Sequence, residues 1–221
     1  VMNNCLAPIA PNIFALILCA MNTIHFARTY SEAPKYQENT MKGIVFSEFI
    51  EMVEDKFSPE IADQIIQSAS GRLKTGGSYT SVGVYDHIEL VELVKELSAV
   101  SNIPVDDLVT TFGVHLAGRF SVLYPTFFEG VTSTLDFLES VDNHIHIEVK
   151  KLYPGAELPE FKTERNGSQL IMEYSSTRPF SSLAKGLIEG SGLYYGETLE
   201  VEAEDLSKGL GNHMRFTITR V

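Results

Sequence analysis

The stretch that decides the fold runs from Val141 to Arg178 and reads VDNHIHIEVKKLYPGAELPEFKTERNGSQLIMEYSSTR. Its first part, Val141–Tyr153, is typical of a helix. Pro154 and Gly155 then end that helix, because proline cannot continue it and glycine tolerates the turn. The sequence therefore predicts that histidines are held on a stiff helix.

A β-hairpin is predicted directly after this helix. Its strands are Glu160–Arg165 and Ser168–Ser175, and the pair Asn166-Gly167 joins them. This residue pair readily adopts the positive φ angles that a tight hairpin turn needs. The histidine helix and the hairpin are therefore neighbours in the chain.

Three polar side chains follow one another at alternate positions where the second strand runs out: Tyr174, Ser176 and Arg178. Residues two apart on a strand share a face. A guanidinium binds a carboxylate with two parallel hydrogen bonds, and two hydroxyls can complete the shell. With a histidine nearby as a metal ligand, the pattern indicates haem, which combines a metal with two carboxylates. The plain alternative is an edge strand that carries polar residues.

The order and spacing of these residues resemble the haem-nitric oxide/oxygen-binding (H-NOX) family, in its bacterial stand-alone sensor form. The resemblance rests on His146-Ile-Glu-Val-x-Lys followed by Tyr174, Ser176 and Arg178, and it extends from Met41-Lys42-Gly43-Ile44 to the end of the chain. It implies that His146 is the ligand of the haem iron. It also implies that the tyrosine, serine and arginine hold the haem propionates.

The resemblance implies further contacts on both sides of the haem. Pro159 corresponds to a proline that presses against the porphyrin, and Leu183 stands where oxygen-holding members carry a tyrosine. Dioxygen gains about 1.5–3 kcal/mol from such a donor, whereas nitric oxide needs none. The distal positions lack a suitable donor and are Val45, Phe49, Leu116, Phe120, Leu183 and Leu187.

Two histidines on the predicted helix compete for the role of ligand. His144 and His146 lie about 200° apart around a helix, so both cannot face one iron. The apolar stripe of the helix runs between them, and periodicity does not choose. The resemblance favours His146, and His144 is expected to face solvent beside Glu148.

Composition indicates one soluble domain with an extension. The chain has 221 residues, of which 44% are hydrophobic and 21% charged, which is ordinary for a globular protein. A net charge of -12 and the lack of a basic patch argue against nucleic acid as a partner. Both cysteines, Cys5 and Cys19, precede the domain, which excludes a cysteine-built zinc site or disulfide framework within it. We expect a cytoplasmic protein.

Residues 1–40 are predicted to be an extension or linker, and residues 41–221 the haem-binding domain. The apolar centre of the extension, Ile13–Met21, is too short to span roughly 30 Å of hydrocarbon. Its length suits a signal peptide, but no Lys or Arg precedes it. An extension ahead of Met41 is the favoured interpretation.

The fold class is predicted to be α+β, with a helical half first, a helix-flanked antiparallel sheet afterwards, and haem buried between the halves. Ser58-Pro59 is expected to separate two short helices, because serine caps a helix and proline suits its first turn. The predicted helices besides the histidine helix are two within Phe46–Ser68, then Val84–Ser101, Val105–Phe120 and Pro179–Glu189. The segment Thr132–Glu139 leads into the histidine helix, and the last two predicted strands are Glu197–Ala203 and Met214–Val221.

The resemblance implies a nitric oxide sensor. Binding of the gas to ferrous haem b breaks the iron–histidine bond and shifts the fold. Because no transmitter domain follows Val221, a partner in trans is expected, a histidine kinase or a cyclic-di-GMP enzyme. Two alternatives stay open. One is an oxygen-binding or oxygen-sensing haem protein. The other is an enzyme that uses Asp142, His146 and a serine nucleophile, although the chain has no G-x-S-x-G motif.

Overall fold

The computed structural model describes residues 40–147 and 158–221. Helices dominate the first part, and a four-stranded antiparallel sheet dominates the second, which confirms the predicted α+β class. Apolar residues from both parts join one hydrophobic core. Within the described ranges, no helix combines the length and apolar character that crossing a membrane requires.

Among the described residues, the first part contains five α-helices: α1 Gly43–Lys56, α2 Pro59–Ala69, α3 His87–Ser101, α4 Val105–Leu123 and α5 Thr134–Ser140. The predicted break between α1 and α2 is confirmed. The hydroxyl of Ser58 accepts a hydrogen bond from the backbone N–H of Ile61 at 3.3 Å, and Pro59 takes the first helical position. This serine satisfies a backbone donor that the helix itself leaves without a partner.

A small two-stranded sheet was not predicted. Strand β1 (Thr40–Lys42) pairs antiparallel with β2 (Val84–Asp86), so the predicted helix start at Val84 is wrong by three residues. Pairing with a distant segment overrides the local helical pattern there. Asp86 then caps α3, because its carboxylate accepts a hydrogen bond from the N–H of Ile88 at 3.2 Å.

The second half contains strands β3 Glu160–Asn166, β4 Gln169–Ser175, β5 Leu199–Asp205 and β6 His213–Arg220. Their order in the sheet is β3-β4-β6-β5, and all neighbours are antiparallel. All four predicted strands are therefore confirmed, with boundaries that differ by one or two residues. Strand β4, which leads to the predicted carboxylate clamp, is an inner strand and not an edge strand.

The hairpin turn between β3 and β4 lies one residue later than predicted. Asn166 pairs with Gln169, so the two turn residues are Gly167 and Ser168. Gly167 has a φ of 58°, and Ser168 is not among the residues with positive φ. This is the arrangement of a type II′ turn, which places glycine at its first central position.

The predicted continuation of β4 through Arg178 is wrong. The strand ends at Ser175, and the N–H of Ser176 donates to the carbonyl of Asn212 at 2.9 Å. Residues 176–178 form a bend that returns the chain toward the last helix. Strand alternation therefore does not place the three polar side chains of this segment.

Helix α6 (Ser181–Tyr195) extends six residues beyond its predicted end at Glu189. Gly190 and Gly192, predicted to follow the helix, lie inside it. A Cβ built on Gly190 would stand 2.6 Å from the Cβ of Ala117, so glycine permits close packing at this position. The helix ends at Gly196, whose φ is 67°.

Helices α4 and α6 pack side by side at unusually short range. A Cβ built on Gly113 would stand 2.5 Å from the carbonyl oxygen of Leu183, and one on Gly186 would stand 2.1 Å from that of Thr110. We call Gly113, Gly186 and Gly190 the glycine seam. Gly186 lies against Thr110 and Gly190 against Ala117, so residue numbers increase in the same direction along α4 and α6, and the two helices are parallel. The seam fixes α6, with its predicted distal leucines, against α4.

Candidate functional site

The predicted histidine helix begins earlier than expected and contains a wide turn. Helix α5 runs without interruption into a π-helical stretch, Val141–Ile145, and the backbone N–H of His146 donates to the carbonyl of Val141. Such a stretch inserts an extra residue into an α-helix and is frequent at functional sites. Residues 148–157 of the predicted helix lie outside the described residues.

The imidazole of His146 is buried and oriented by a carboxylate. Its side chain is 4% exposed, and Nδ1 lies 2.8 Å from Oδ1 of Asp142. Because a carboxylate accepts hydrogen bonds, Nδ1 carries a proton, which in the neutral imidazole leaves the lone pair on Nε2. This tautomer is the one that a metal ligand needs at Nε2. The predicted exposure of His144 beside Glu148 lies outside the described side chains.

The three polar residues of the predicted clamp lie together, although a bend and not a strand arranges them. Tyr174 is 1% exposed, and its hydroxyl donates to the carbonyl oxygen of Arg178 at 3.3 Å. The hydroxyl of Ser176 accepts from the N–H of Arg178 at 3.2 Å. Burial raises the pKa of Tyr174, so its phenol remains a hydrogen-bond donor. Arg178 itself is half-buried.

An apolar cavity lies beside this clamp, and a water-sized sphere can enter about 30 Å³ of it. Three predicted cofactor residues line it: Pro159, Tyr174 and Leu187. Its other lining residues, none of them charged, are Phe137, Leu138, Val141, Phe161, Met172, Ala184, Ile188 and Ser191. The cavity joins the end of α5, the hairpin and α6.

A second hollow surrounds His146 and is lined by Asp142, Pro159 and Phe161 among others. Pro159 and Phe161 therefore border both spaces. The Phe161 ring lies 5.6 Å from the His146 ring and 5.7 Å from that of Tyr174, centroid to centroid. Phe161 thus connects the histidine with the clamp. The sequence analysis missed it, although it follows Pro159 by two residues on an extended segment and so shares its face.

Five of the six predicted distal residues are buried and Leu187 is partly buried, but most of the six do not line this cavity. Leu187 lines it, and Leu183, which is 5% exposed, lies next to the lining residue Ala184. The remaining four are at most 1% exposed, lie on α1 and α4, and are not among the lining residues: Val45, Phe49, Leu116 and Phe120.

A buried charged cluster holds α1 against α4 next to these four residues. The carboxylate of Glu48 is 3% exposed and accepts from Nε of Arg119 at 2.7 Å and from Nε2 of His115 at 3.2 Å. Burial raises the pKa of Glu48, but hydrogen bonds from both partners outweigh it and hold that pKa below its ordinary value. Sequence analysis missed this cluster, because its members lie far apart in the chain.

These features fit haem. Within the described residues 40–147 and 158–221, no group of three or more His, Cys, Asp or Glu side chains could hold a bare metal ion. One buried imidazole suits a metal whose other ligands come from a macrocycle. The apolar lining of the cavity suits the faces of a porphyrin, and the hydroxyls and guanidinium of the clamp suit its two carboxylates.

Comparison with known proteins agrees with this chemistry. The family model described as haem-NO-binding (HNOB) matches residues 42–203. The unliganded Fe(II) H-NOX protein from K. algicida is 35% identical, with a TM-score of 0.74 over 82% of this chain and 97% of that one. The H-NOX from Shewanella woodyi, solved in the Fe(II)CO state, is 38% identical, with a TM-score of 0.69 over 82% and 95%.

A more distant structure shares the fold alone. The H-NOX protein from S. oneidensis in the Fe(II)NO ligation state is 22% identical, with a TM-score of 0.71 over 82% of this chain and 99% of that one. The search of curated proteins found no match.

Proposed function

The chain belongs to the haem-NO-binding (H-NOX) family, and from this premise we propose that it is a nitric oxide sensor. Domains of this family are haem-binding sensors and not enzymes. The proposal adds a gas, an iron ligand and a mode of signalling. One observation carries the choice of gas: all six predicted distal side chains are apolar.

Haem bound here would be held by His146 through its iron and by Tyr174, Ser176 and Arg178 through its propionates. When bound, haem would supply a ferrous iron that takes up a diatomic gas, and nitric oxide would weaken the hold of that iron on His146. The remaining steps belong to the protein. Leu183 and Leu187 exclude water from the side on which the gas would bind and donate no hydrogen bond to it.

The apolar distal side discriminates between gases. Dioxygen draws negative charge as it coordinates and gains about 1.5–3 kcal/mol from a donor, whereas nitric oxide gains little. Without a donor, dioxygen affinity falls by roughly one to two powers of ten, since 1.4 kcal/mol is a factor of ten. The chain therefore favours nitric oxide, and its ferrous haem would not bind dioxygen in air.

The helix that carries His146 transmits the signal. Tyr174 lies in β4, and Ser176 and Arg178 directly follow it, so the clamp stays with the sheet, whereas His146 belongs to the helical stretch that extends α5. Without that hold on the imidazole, these two parts would be able to shift relative to each other, a two-state change. Ile147, next in the chain, is 48% exposed, so the shift reaches the surface. A partner protein in trans, a histidine kinase or a cyclic-di-GMP enzyme, reads it.

An optical spectrum of the haem-loaded protein tests the choice of gas. We expect a ferrous spectrum that air does not convert to an oxygen complex and a five-coordinate species with nitric oxide. A stable oxygen complex in air would instead support oxygen sensing. Leu183→Tyr should raise dioxygen affinity by roughly one to two powers of ten, because it adds the missing donor.

Substitution of the histidine tests the iron ligand. His146→Gly should hold haem only when imidazole is added, because the small ligand replaces the missing side chain. His144→Ala is the matched control on the same helix and should bind haem as the parent does. Reversal of these two results, or a parent protein that is colourless after incubation with haem and removal of the unbound haem, would defeat the assignment.

A further inference from the structure

Asp142 stands one helical turn before His146 and contacts its imidazole. We propose that Asp142 is a positioning residue: its carboxylate fixes the Nδ1–H tautomer of His146 and sets how strongly that imidazole holds the iron. This inference rests on the proposed function, in which His146 is the iron ligand. It assigns the strength of the bond between the iron and His146 to a second side chain, which can be substituted without removing the ligand itself.

Two donors converge on one oxygen of Asp142. Oδ1 lies 2.8 Å from Nδ1 of His146 and 3.5 Å from the backbone nitrogen of Phe161. The first donor belongs to the helix, and the second belongs to β3 of the sheet. The carboxylate therefore lies between the two parts whose relative shift carries the proposed signal.

The environment of the pair differs at its two ends. The His146 side chain is 4% exposed, and that of Asp142 is 42% exposed. The imidazole is thus enclosed, while the carboxylate lies at the boundary with water, in the open hollow that both residues line. Asp142 lies within the π-helical stretch, so the wide turn contributes the partner of the imidazole.

A carboxylate that accepts the N–H of a ligating imidazole orients the ring and makes its other nitrogen more basic. A more basic nitrogen binds iron more strongly, and release then requires more from the gas. Loss of such a partner typically lowers metal affinity about 10–100-fold. Because water reaches Asp142, the lower end, about tenfold, is expected here.

Three substitutions in the full-length, haem-loaded protein test this role. Asp142→Ala removes the acceptor. Asp142→Asn keeps an oxygen that accepts from Nδ1–H but removes the charge. Glu164→Gln is the control, because it removes one negative charge from an exposed position on β3.

Two measurements report on the bond between the iron and His146 and not on signalling activity. They are the rate of haem transfer to excess apomyoglobin and the iron–histidine stretching frequency in the Raman spectrum of the ferrous protein. Asp142→Ala should lose haem about tenfold faster and show a lower frequency. Asp142→Asn should fall between it and the parent, and Glu164→Gln should match the parent. A purely structural role would leave the frequency unchanged.

The outcomes separate this inference from the proposed function. If His146→Gly requires imidazole but Asp142→Ala and Asp142→Asn keep the parental frequency and rate of haem loss, only the role of Asp142 is overturned. If His146→Gly binds haem as the parent does, the proposed iron ligand itself fails. Should Asp142→Ala fold poorly, the graded comparison of Asp142→Asn with Glu164→Gln still decides.

Discussion

The glycine seam makes one substitution unusually informative: Gly186→Ala. A Cβ at this position would stand 2.1 Å from the carbonyl oxygen of Thr110 and 2.8 Å from the Cα of Gly113. Real Cβ atoms essentially never approach within 3.0 Å of another heavy atom. Both neighbours are backbone atoms of α4, so no side chain can rotate away. The helices must part by roughly 0.9 Å, the difference between 3.0 and 2.1 Å.

The energetic result is a balance of two opposed effects. Forcing an extra methyl group into a packed interface costs about 1–3 kcal/mol. Alanine in place of glycine inside a helix recovers up to about 1 kcal/mol. We expect a net loss of about 2 kcal/mol in the free energy of unfolding. For a chain of this length the melting temperature should fall by roughly 4–8 °C.

The same substitution at Gly118 is the matched control. Gly118 lies on α4, is exposed, and has no atom within 4 Å of a built Cβ. Gly118→Ala should therefore gain about 0.5–1 kcal/mol from helix propensity alone. Urea and thermal unfolding of the haem-loaded proteins measure both changes. Equal stabilisation by the two alanines would refute the close approach of α4 and α6.

Two further predictions concern the helical half. Because the pKa of Glu48 is lowered in the folded protein, its ionised form stabilises the fold above the ordinary value of 4.5, and this contribution disappears as pH falls through the lowered pKa. Glu48→Gln should therefore lower the free energy of unfolding, measured by urea denaturation near pH 7, by about 2 kcal/mol, and the difference should shrink as the pH falls below 4.5; a difference independent of pH would contradict this. Ser58→Ala should cost about 1 kcal/mol by removing the cap on Ile61, while Ser58→Thr should largely retain it; equal losses in the two variants would exclude capping.

Local signals in the sequence predicted most of the fold. The break at Ser58-Pro59 and the hairpin around Gly167 depend on residues adjacent in the chain, so capping and turn rules suffice to find them. The one-residue error in the hairpin arose because Gly167 takes the first turn position. A turn that began at Asn166 would have needed positive φ at both residues.

The errors occur where distant segments meet. Strand β2 forms because β1 lies beside it, and the last helix continues through Gly190 because α4 packs against that glycine. Glycine normally disfavours helix interiors, and only tertiary contact reverses that preference. The end of β4 at Ser175 has a similar origin, since the next N–H donates to Asn212 of another segment.

The candidate site was predicted in part, and resemblance contributed what periodicity could not. Counting 100° per residue left His144 and His146 equivalent, because that rule assumes a regular α-helix. The chain forms a π-helical stretch there, which changes the angle between successive side chains. The spacing of four residues on a helix predicts that Asp142 can contact His146. It does not predict that the imidazole is buried and that the carboxylate therefore orients it.

The π-helical stretch also bears on how this chain can evolve. An α-helical segment tolerates many replacements, but loss of a single residue rotates everything beyond it by about 100°. Between Val141 and Ile145 the backbone holds one residue more than a regular turn needs, so a deletion there would keep a smooth helix and yet swing the imidazole at position 146 away from its carboxylate. The number of residues in this stretch is therefore constrained together with the carboxylate at position 142, because both are needed to bring that carboxylate to the imidazole.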